Sequence, residues 1–518
     1  MVDEQSCGRL AELTIALSLA SDLGTGQPME HGLRTCWLSL NVSDVLGLDS
    51  STRSCVYYMA LLRFVGCTSD ASETAVLAGG DDIGFNAVMA PMLLAQAGEG
   101  MRYFVRHLAE DLPLHRRIGR VVRALGDPGM EHRSLSGHCE VGARVARRVG
   151  LPEQVRHSLA HAYERWDGKG HPAGLTGEDV PVAVRIVAVA RDAEMWARQH
   201  GWDAAVEVLS ARRGLGYDPT VVDAIVEGGE QWLAEHGDDP RSAVLDAEPE
   251  PVLTIDEADL DDALGAVADF TDLKSPFLRG HSTGVADLAR AAARAAGLSD
   301  ADATMVARAA LVHDVGRVGI PSGIWDRRGP LSAEQWERVR LHPYLSERVL
   351  HRCAVMASFA EIAARHHERA DGSGYYRGVA AGDGFALGAR LLAAADAYHA
   401  MCEDRPHRPA LTPAAAAAQL LDAVDAGRFT KVEVDAVLSA AGQATRPASV
   451  ARPAGLTERE VDVLRMIARG HSNKAVAASL GISAKTVGHH IEHIYAKAAV
   501  TTRAGATLFA MEHSLLAP

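Results

Sequence analysis

Apolar residues along most of this chain recur at the three- and four-residue spacing of amphipathic helices, and strand-like alternation is scarce. Two stretches interrupt that pattern. The first is acidic and carries prolines, and the second is rich in Ala, Pro and Ser, so both are interpreted as linkers. The pattern predicts an all-α protein with domains at residues 1–235, 254–442 and 455–518, joined by linkers at 236–253 and 443–454.

The charge distribution, the cysteines and the length of the apolar runs limit where nucleic acid could bind and where in the cell the protein is expected. The formal net charge is −15, but residues 453–518 hold seven Lys/Arg and five Asp/Glu, a net of +2, which leaves −17 elsewhere. Any nucleic-acid contact is therefore expected in the tail. The seven cysteines are scattered without a CxxC pair, as in reduced intracellular proteins. No apolar run reaches the length of a membrane span, and no signal peptide is indicated. We expect a cytoplasmic protein without a membrane partner.

The first two domains align with each other as an internal duplication. At an offset of 204, AYERWDGKGHPAG (162–174) falls on HHERADGSGYYRG (366–378), and Asp192 falls on Asp396. At an offset of 250, His31 falls on His281. The change of offset implies an insertion of about 46 residues in the first copy, at about 68–130. Chance similarity between Ala-rich helices is the alternative, and the matched ERxDGxG segments oppose it.

The second copy carries a set of imidazoles and carboxylates that suits one metal centre. Buried groups of this kind need a partner, and a cation is the simplest one. The absence of thiolates from the set favours Mn, Fe or Zn in a hydrolytic centre over a structural zinc site. A lone histidine is more often structural, but the adjacent His-Asp and His-His pairs favour ligands. The predicted metal ligands are His281, His313, Asp314, His342, His366, His367 and Asp396.

The first copy lacks most of this set. It keeps His31, His138 and Asp192, but Arg63 and Phe64 stand at the positions of the His-Asp pair. Those three residues cannot hold a hard cation well. We expect the first copy to be degenerate, with packing as its main role and a ligand at residues 167–170 as the alternative.

The motifs HDVGRVGIP, LHP, HHERADGSGYYRG and AADAY, within about residues 265–430, resemble those of the HD-GYP metal-dependent phosphohydrolases. The resemblance implies a helical bundle that hydrolyses cyclic di-GMP at a binuclear or trinuclear iron or manganese centre. Some members have an acidic ligand four residues before the first histidine. Phe277 occupies that position here, so two divalent metal ions, Fe or Mn, are expected.

The resemblance and helix geometry together suggest how the ligands divide. Adjacent helical residues diverge by about 100°, so His313 and Asp314 can address different positions, and Asp314 can bridge two cations. Two cations about 4 Å apart can clamp a phosphodiester. The first metal is expected on His281, His313, Asp314 and Asp396, and the second on His342, His366 and His367 with Asp314.

Catalytic and substrate-binding residues are expected close to this centre. Asp314 and Arg317 are the predicted catalytic residues, and Arg317 replaces the usual lysine of the family and can grip two phosphate oxygens. Tyr376 replaces the signature proline, which leaves loop shape and substrate choice open. Tyr375 could stack on a guanine, whereas Asp371 could instead shape its own loop. The predicted substrate contacts are Arg317, Asp371, Gly374, Tyr375 and Arg377.

The tail, residues 455–515, resembles a LuxR/NarL-type helix-turn-helix domain. Thr457 and Glu460 form a predicted capping box, and Ser472 and Ser483 are predicted caps of the next two helices. The third helix is the expected major-groove reader, with Lys485 and His489 reaching bases. A helical module that docks on protein is the alternative. The predicted DNA contacts are Asn473, Lys474, Lys485, Thr486, Gly488, His489, His490 and Lys497.

These expectations combine into one hypothesis. A degenerate HD-domain-like bundle precedes a metal-bearing one and a four-helix LuxR-type tail. The chain would be a DNA-binding regulator whose metal domain binds, and hydrolyses, a cyclic dinucleotide, with a homodimer expected because such readers meet paired half-sites. The alternatives are a catalytically silent nucleotide-sensing transcription factor and a phosphohydrolase of another phosphorylated nucleotide.

Overall fold

The protein is described here by a computed structural model. It covers residues 6–92, 100, 103–104, 106, 129–235, 237, 239–380, 386–443, 453–513 and 515–516. The chain separates into two compact units, Met1–Leu260 and Asp261–Pro518.

The first unit is helical, with one two-stranded antiparallel sheet in which β1 (Ser6–Arg9) pairs with β2 (Thr254–Asp256). Short 3-10 segments occupy Val65–Thr68, Ala90–Met92 and Gly177–Asp179. Its helices are α1 (Leu10–Gly24), α2 (His31–Val45), α3 (Ser50–Leu62), α4 (Ala71–Ala78), α5 (Asp82–Met89), α6 (Met130–Arg148), α7 (Glu153–Ala160), α8 (Val182–His200), α9 (Trp202–Arg212), α10 (Pro219–Glu235), α11 (Pro240–Asp246) and, at the boundary with the second unit, α12 (Glu257–Asp272).

Helices α2, α3 and α8 pack against one another and form the centre of the first unit. Ile186, Val187 and Val189 of α8 are fully buried there. Residues 186–195 of α8 are buried without a break, so this stretch of the helix is enclosed on all sides by its neighbours.

The second unit is also helical, with 3-10 segments at Val315–Gly319 and Pro453–Gly455. After α12, its helices are α13 (His281–Ala295), α14 (Asp300–Val312), α15 (Ser322–Trp325), α16 (Ala333–Arg340), α17 (His342–Leu350), α18 (Ala354–Ala364), α19 (Leu387–Met401), α20 (Pro413–Asp425), α21 (Lys431–Gln443), α22 (Glu458–Ala468), α23 (Asn473–Leu480), α24 (Ala484–Ala498) and α25 (Arg503–Glu512).

Helix α13 lies at the centre of the bundle in the second unit, against α14, α19 and α21. The contact faces are rich in alanine: Ala289, Ala292 and Ala293 of α13 and Ala307 and Ala310 of α14 are all fully buried. Small side chains let helix axes approach closely, and alanine loses no side-chain entropy in a helix. Close packing of this kind fixes the helix ends, where the polar site is built.

The tail folds into α22 to α25 as its capping residues predict. Glu460 N donates to Thr457 Oγ1 at 3.2 Å and Thr457 N donates to Glu460 Oε2 at 2.7 Å, which confirms the capping box. Ser472 and Ser483 cap α23 and α24 through bonds of 3.2 and 3.0 Å. Gly481 ends α23 in the left-handed region.

The all-α prediction is confirmed. Residues 236–253, predicted as a linker, contain helix α11, and the strand β2 that follows pairs within the first unit. Residues 444–452 of the other predicted linker lie outside the described residues. So does about half of the predicted insertion at 68–130, in which α4 and α5 are described. Among the described helices, none combines the length and the apolar character needed to cross a bilayer.

Candidate metal centre

The seven predicted ligands converge from five helices of the second unit. His281 is the first residue of α13, and His342 is the first of α17. His313 caps the end of α14, directly before Asp314. His366 and His367 follow α18, and Asp396 lies within α19. Helix ends therefore supply six of the seven side chains, and all of these except His367 are buried.

Asp314 lies between two groups of histidines. Its Oδ2 is 3.0 Å from His313 Nε2 and 3.7 Å from His281 Nε2. Its Oδ1 is 3.4 Å from His342 Nε2 and 3.3 Å from His366 Nε2. The two oxygens of one carboxylate thus face different imidazole groups, as a carboxylate that bridges two cations requires.

Three of the histidines share one backbone arrangement. The Nδ1 of His313, His342 and His366 each lies 2.6 Å from the carbonyl oxygen three residues earlier and donates to it. A neutral ring with its proton on Nδ1 has a lone pair on Nε2. The Nε2 atoms of His342 and His366 are 3.1 Å apart, so two lone pairs face each other. A cation between them would satisfy both, which means that these residues fit a metal.

Electrostatics favour neutral imidazoles at three positions and a charged carboxylate at Asp314. Burial lowers the pKa of His342, lowers that of His366 to about 4 and brings that of His367 well below its ordinary value. At His281 burial also lowers the pKa, but Glu403 and Asp396 outweigh it and raise the pKa to about 9. Burial alone would raise the pKa of Asp314, but Arg317 and His313 bring it well below its ordinary value. Neutral imidazoles beside ionised carboxylates are the form in which these groups bind a divalent cation.

Asp396 and His367 complete the ring of predicted ligands. Asp396 Oδ1 is 3.1 Å from His281 Nε2, and its Oδ2 is 4.0 Å from His367 Nδ1. His342, His366 and His367 form one group whose ligand atoms lie within 4.8 Å of one another, and His281, His313 and Asp314 form another. Each group contains three of the four residues expected at one of the two metals, and the division of ligands between two ions stays a prediction.

Arg317 lies directly against the centre. Its Nε is 2.9 Å from Asp314 Oδ2, and its guanidinium lies 5.1 Å from the centre of the Trp325 ring. The indole of Trp325 donates to the Arg317 carbonyl at 3.3 Å, so Trp325 contacts both the backbone and the guanidinium of Arg317. Arg317 therefore offsets part of the negative charge of the carboxylates.

The loop at residues 371–378 brings one of its predicted substrate contacts to the centre. Tyr375 stacks on the His367 ring at 4.6 Å, with 30° between the planes. Asp371 is exposed and accepts from Ser373 N at 2.9 Å, so it shapes the loop. Arg377 is ion-paired to Glu347, which also accepts from the Tyr376 hydroxyl.

Gly374 is a close-packing position in the same loop. A Cβ there would lie 2.5 Å from Arg369 N and 2.5 Å from Glu368 Cα. Buried Glu368 accepts from Arg377 N at 2.8 Å and from Val379 N at 3.0 Å. One carboxylate and one glycine thus set the fold of this loop.

The first copy repeats that loop. Buried Glu164 accepts from Ala173 N at 2.6 Å and from Leu175 N at 3.0 Å, and a Cβ on Gly170 would lie 2.3 Å from Arg165 N. Each of these residues is 204 positions before its counterpart in the second copy. The same hydrogen bonds at the same offset support the duplication.

In the first copy, guanidinium groups lie at the place where the second copy has the predicted metal ligands. Buried Asp192, the counterpart of Asp396, is ion-paired to Arg191 and accepts from Tyr217 Oη. Arg212 Nη1 also lies 3.3 Å from Asp192 Oδ2. Arg63, at the position of His313, is buried and donates to the Ala162 carbonyl at 2.6 Å. Fixed positive charges therefore neutralise the carboxylate that the first copy retains.

Sequence reasoning missed Glu403, His399 and Glu347. Glu403 contacts His281 Nδ1 at 2.8 Å, and His399 Nδ1 lies 3.4 Å from Glu403 Oε1. Glu403 is seven residues after Asp396, beyond the end of α19, so no helical spacing points to it. A carboxylate close behind a ligand in sequence is the weak signal that could have indicated it.

In the tail, the structure leaves most of the predicted DNA contacts accessible. Gly488 and His490 of α24 are half-buried. The ammonium of Lys497 is ion-paired to Glu460 at 2.7 Å. Apart from the adjoining backbone of α24, the described part of the chain places no heavy atom within 4 Å of a Cβ built on Gly488. The predicted DNA contacts that are exposed are Asn473, Lys474, Lys485, Thr486, His489 and Lys497.

Comparison with known protein families finds one match in the helical bundles and another in the tail. The family described as HD domain matches residues 118–221 and 266–430. The family described as bacterial regulatory proteins, luxR family, matches residues 454–510. These matches confirm the two resemblances noted in the sequence, including the repeated HD-type region.

Individual relatives are cyclic dinucleotide phosphodiesterases. The chain is 31% identical over 407 residues to 3'3'-cGAMP-specific phosphodiesterase 3 of Vibrio cholerae, covering 78% of this chain and 88% of the relative. It is 33% identical over 147 residues to a cyclic di-GMP phosphodiesterase of Thermotoga maritima, covering 28% of this chain and 39% of that protein. The crystal structure of V-cGAP3, a cyclic GMP-AMP specific phosphodiesterase of V. cholerae, matches with a TM-score of 0.59 and 26% identity, covering 84% and 98% of the two chains.

Proposed function

We propose that this chain, which belongs to the HD-domain family and ends in a luxR-family domain, is a DNA-binding phosphodiesterase of a 3'3'-cyclic dinucleotide. The observation that carries the proposal is the position of Asp314, whose two oxygens face two separate groups of histidines. The similarity to the V. cholerae 3'3'-cGAMP enzyme favours 3'3'-cGAMP as substrate, with cyclic di-GMP as the second candidate.

The proposed centre holds two divalent ions, iron or manganese. His281, His313 and Asp396 would hold one, His342, His366 and His367 the other, and Asp314 both. Such a centre supplies Lewis acidity that neutralises a phosphodiester and lowers the pKa of water. Phe277 offers no ligand atom at the position where a third ion would need one.

The surrounding residues suit a nucleotide phosphate. Arg317 carries a permanent charge beside Asp314 and can hold a non-bridging oxygen of the phosphate as charge develops. Tyr375 lies on the His367 ring and offers an aromatic face for a base at the edge of the centre. Asp371 and Gly374 shape the loop that carries Tyr375, and Arg377 is the remaining proposed phosphate contact.

The test is a turnover assay with elemental analysis on the same preparation. Freshly purified protein should contain about two Fe or Mn per chain and should linearise 3'3'-cGAMP or cyclic di-GMP. Asp314→Asn should bind less metal and lose at least about 100-fold in kcat, because the bridging carboxylate would be lost. Two metals per chain without turnover of any cyclic dinucleotide would instead support the silent sensor.

We propose that the tail reads DNA through α24. Lys485 and His489 are exposed on its first turns, where base contacts occur in this class of motif. Asn473 and Lys474 at the start of α23 suit phosphate contacts, as do Thr486, His490 and Lys497, and Gly488 permits close approach. Lys474→Ala should weaken binding to all duplexes and reduce the salt dependence, whereas His489→Ala should alter the sequence selected from a randomised duplex pool.

We further propose that occupancy of the centre changes the DNA affinity of the tail. The segment of residues 276–280, directly before His281, contacts the tail: Arg279 donates to the Ala468 carbonyl at the end of α22, and Gly470 packs on Pro276. A shift of His281 would move this segment and with it the tail. A homodimer on paired half-sites would convert such a shift into altered half-site spacing.

A further inference from the structure

His281 is held differently from the other buried histidines of the centre. His313, His342 and His366 donate from Nδ1 to backbone carbonyls, whereas His281 Nδ1 lies 2.8 Å from Glu403 Oε2. His281 is the first residue of α13 and follows Gly280 in the left-handed region, and the acceptor for its Nδ1 comes from beyond the end of α19.

Glu403 is itself fixed in place. Arg405 Nη2 donates to Glu403 Oε2 at 2.7 Å, and Arg405 Nη1 donates to the Phe277 carbonyl at 3.4 Å. His399 Nδ1 lies 3.4 Å from the other carboxylate oxygen. The carboxylate is therefore held against one nitrogen of His281 while the other nitrogen faces Asp396 and Asp314.

The first copy contains a similar arrangement made from different residues. His31, the counterpart of His281, is ion-paired through Nδ1 to buried Glu194, and Arg198 Nε donates to Glu194 at 2.9 Å. Glu194 lies two residues after Asp192, whereas Glu403 lies seven residues after Asp396. At an offset of 204, Tyr398 occupies the position of Glu194. A carboxylate behind this histidine is thus present in both copies, from two different sequence positions.

We infer that Glu403 is a positioning residue for the metal ligand His281, and this inference rests on the proposed function. A carboxylate that accepts a hydrogen bond from Nδ1 fixes the tautomer and the plane of the ring. It also makes the Nε2 lone pair a stronger electron-pair donor to a metal than a backbone carbonyl acceptor would. Glu403 touches neither substrate nor metal in this role. It acts through His281 on the metal shared with Asp314 and Asp396.

The test measures metal affinity in full-length variants. Glu403→Gln can still accept from Nδ1 but has no charge, and Glu403→Ala has neither property. Metal affinity, measured by competition with a chromogenic chelator, should fall about 10-fold for Glu403→Gln and up to about 100-fold for Glu403→Ala. Glu194→Gln makes the same change in the copy without the ligand set and should leave the affinity unchanged.

The outcomes separate this inference from the function on which it rests. Wild-type protein that binds no metal would overturn the proposed function. Normal metal binding in wild type and equal affinity in both Glu403 variants would overturn only the role of Glu403. Three ions per chain in wild type, with loss of the third alone in both Glu403 variants, would also overturn it, since Glu403 and His399 would then be ligands of a separate ion. Equal Tm values of the metal-free proteins would exclude general unfolding as the cause of weaker binding.

Discussion

At His313, His342 and His366, the backbone selects the ring nitrogen that faces the site. Each Nδ1 donates to the carbonyl oxygen three residues earlier, at 2.6 Å. The tautomer is therefore set before any ion binds, and the rings need little reorganisation. Ordering these three imidazoles should therefore subtract little from the binding free energy of a metal ion.

A single methyl group at Gly374 should disrupt the loop beside these ligands. The added Cβ would lie 2.5 Å from Arg369 N and from the His367 carbonyl, so the backbone that carries His367 must shift. Gly374→Ala should lower the stability by about 1–3 kcal/mol and also weaken metal binding. Calorimetry and elemental analysis measure the two effects.

The matched control lies in the first copy. Gly170→Ala creates the same clash, with its Cβ 2.3 Å from Arg165 N, but carries no ligand of the centre. It should cost similar stability and leave the metal content unchanged. Equal metal loss in both variants would contradict the local explanation.

At the scale of single residues, the sequence predicts which residues form the candidate site better than it predicts which side chains contact one another. Adjacent His-Asp and His-His pairs indicate ligands, and the structure places all of them around one centre. Glu403 and Glu347 escaped prediction because their roles depend on tertiary contacts with His281 and with Arg377. Charged residues outside any motif resemble ordinary surface charges until the fold brings them together.

Among the elements, helix ends carry most of the chemistry, and an ion pair in the first unit shows how such an end is joined to another helix. Asp70 precedes α4, and its Oδ1 lies 2.8 Å from His138 Nε2 of α6. Burial alone would lower the pKa of His138, but Asp70 raises it well above its ordinary value. Burial alone would raise the pKa of Asp70, but His138 lowers it.

This pair should give the first unit a pH-dependent stability. The contribution of His138 is complete below its unfolded pKa of about 6.5 and is lost as the pH rises through its raised folded value. That of Asp70 is present above about pH 4 and is lost as the pH falls through its lowered folded value. Asp70→Asn should cost about 2 kcal/mol near pH 5.5, and the cost should shrink at alkaline pH.

Thermal unfolding of wild type and variant across this pH range measures the effect. Asp49→Asn provides the comparison, because exposed Asp49 caps α3 and accepts from Thr52 N at 2.9 Å and from Thr52 Oγ1 at 3.2 Å. Its small cost should be constant above pH 6. A cost of Asp70→Asn that does not change between pH 5.5 and 10 would show that the ion pair contributes nothing.

Elements were the level at which sequence reasoning succeeded most. Thr457, Ser472 and Ser483 cap the three helices that their positions predicted, because N-caps are local signals. Helix α11 within a predicted linker was not foreseen. Its seven residues are too short for a periodic pattern, and buried Pro240 and Val244 hold it by tertiary packing.

On the scale of the whole molecule, the contact between residues 276–280 and the tail should carry the response to nucleotide. Arg279→Ala removes the bond to the Ala468 carbonyl. DNA affinity without nucleotide and metal content should stay within about 3-fold of wild type, while the change in DNA affinity caused by a phosphorothioate 3'3'-cGAMP should fall by at least 5-fold. Fluorescence anisotropy with a duplex selected by the wild-type protein measures both affinities.

Arg469→Ala serves as the control for this prediction. Arg469 donates to the Leu516 carbonyl at 3.2 Å within the tail, and its loss should leave the nucleotide response intact. An Arg279→Ala protein with a normal response would show that the signal takes another route. A wild-type protein whose DNA affinity ignores saturating nucleotide would remove the coupling altogether.

The duplication could be predicted from the sequence, but the ion pairs that neutralise Asp192 in the first copy could not. The offsets align His31 and Asp192 with ligands of the second copy, yet nothing local indicates that Arg191 and Arg212 neutralise Asp192. Arg191 is adjacent in sequence and Arg212 lies on another helix, so their convergence depends on how α8 and α9 pack.

That arrangement has a consequence for how the two halves depend on their surroundings. A guanidinium is covalently part of the chain and cannot be diluted, chelated or exchanged, so the first half brings its own counter-charge to its buried aspartate. At the proposed centre, the second half takes from solution the part of its counter-charge that Arg317 does not supply. Under that proposal, scarcity of a divalent metal would leave the buried aspartate of the first half neutralised and the carboxylates of the second half without their full counter-charge.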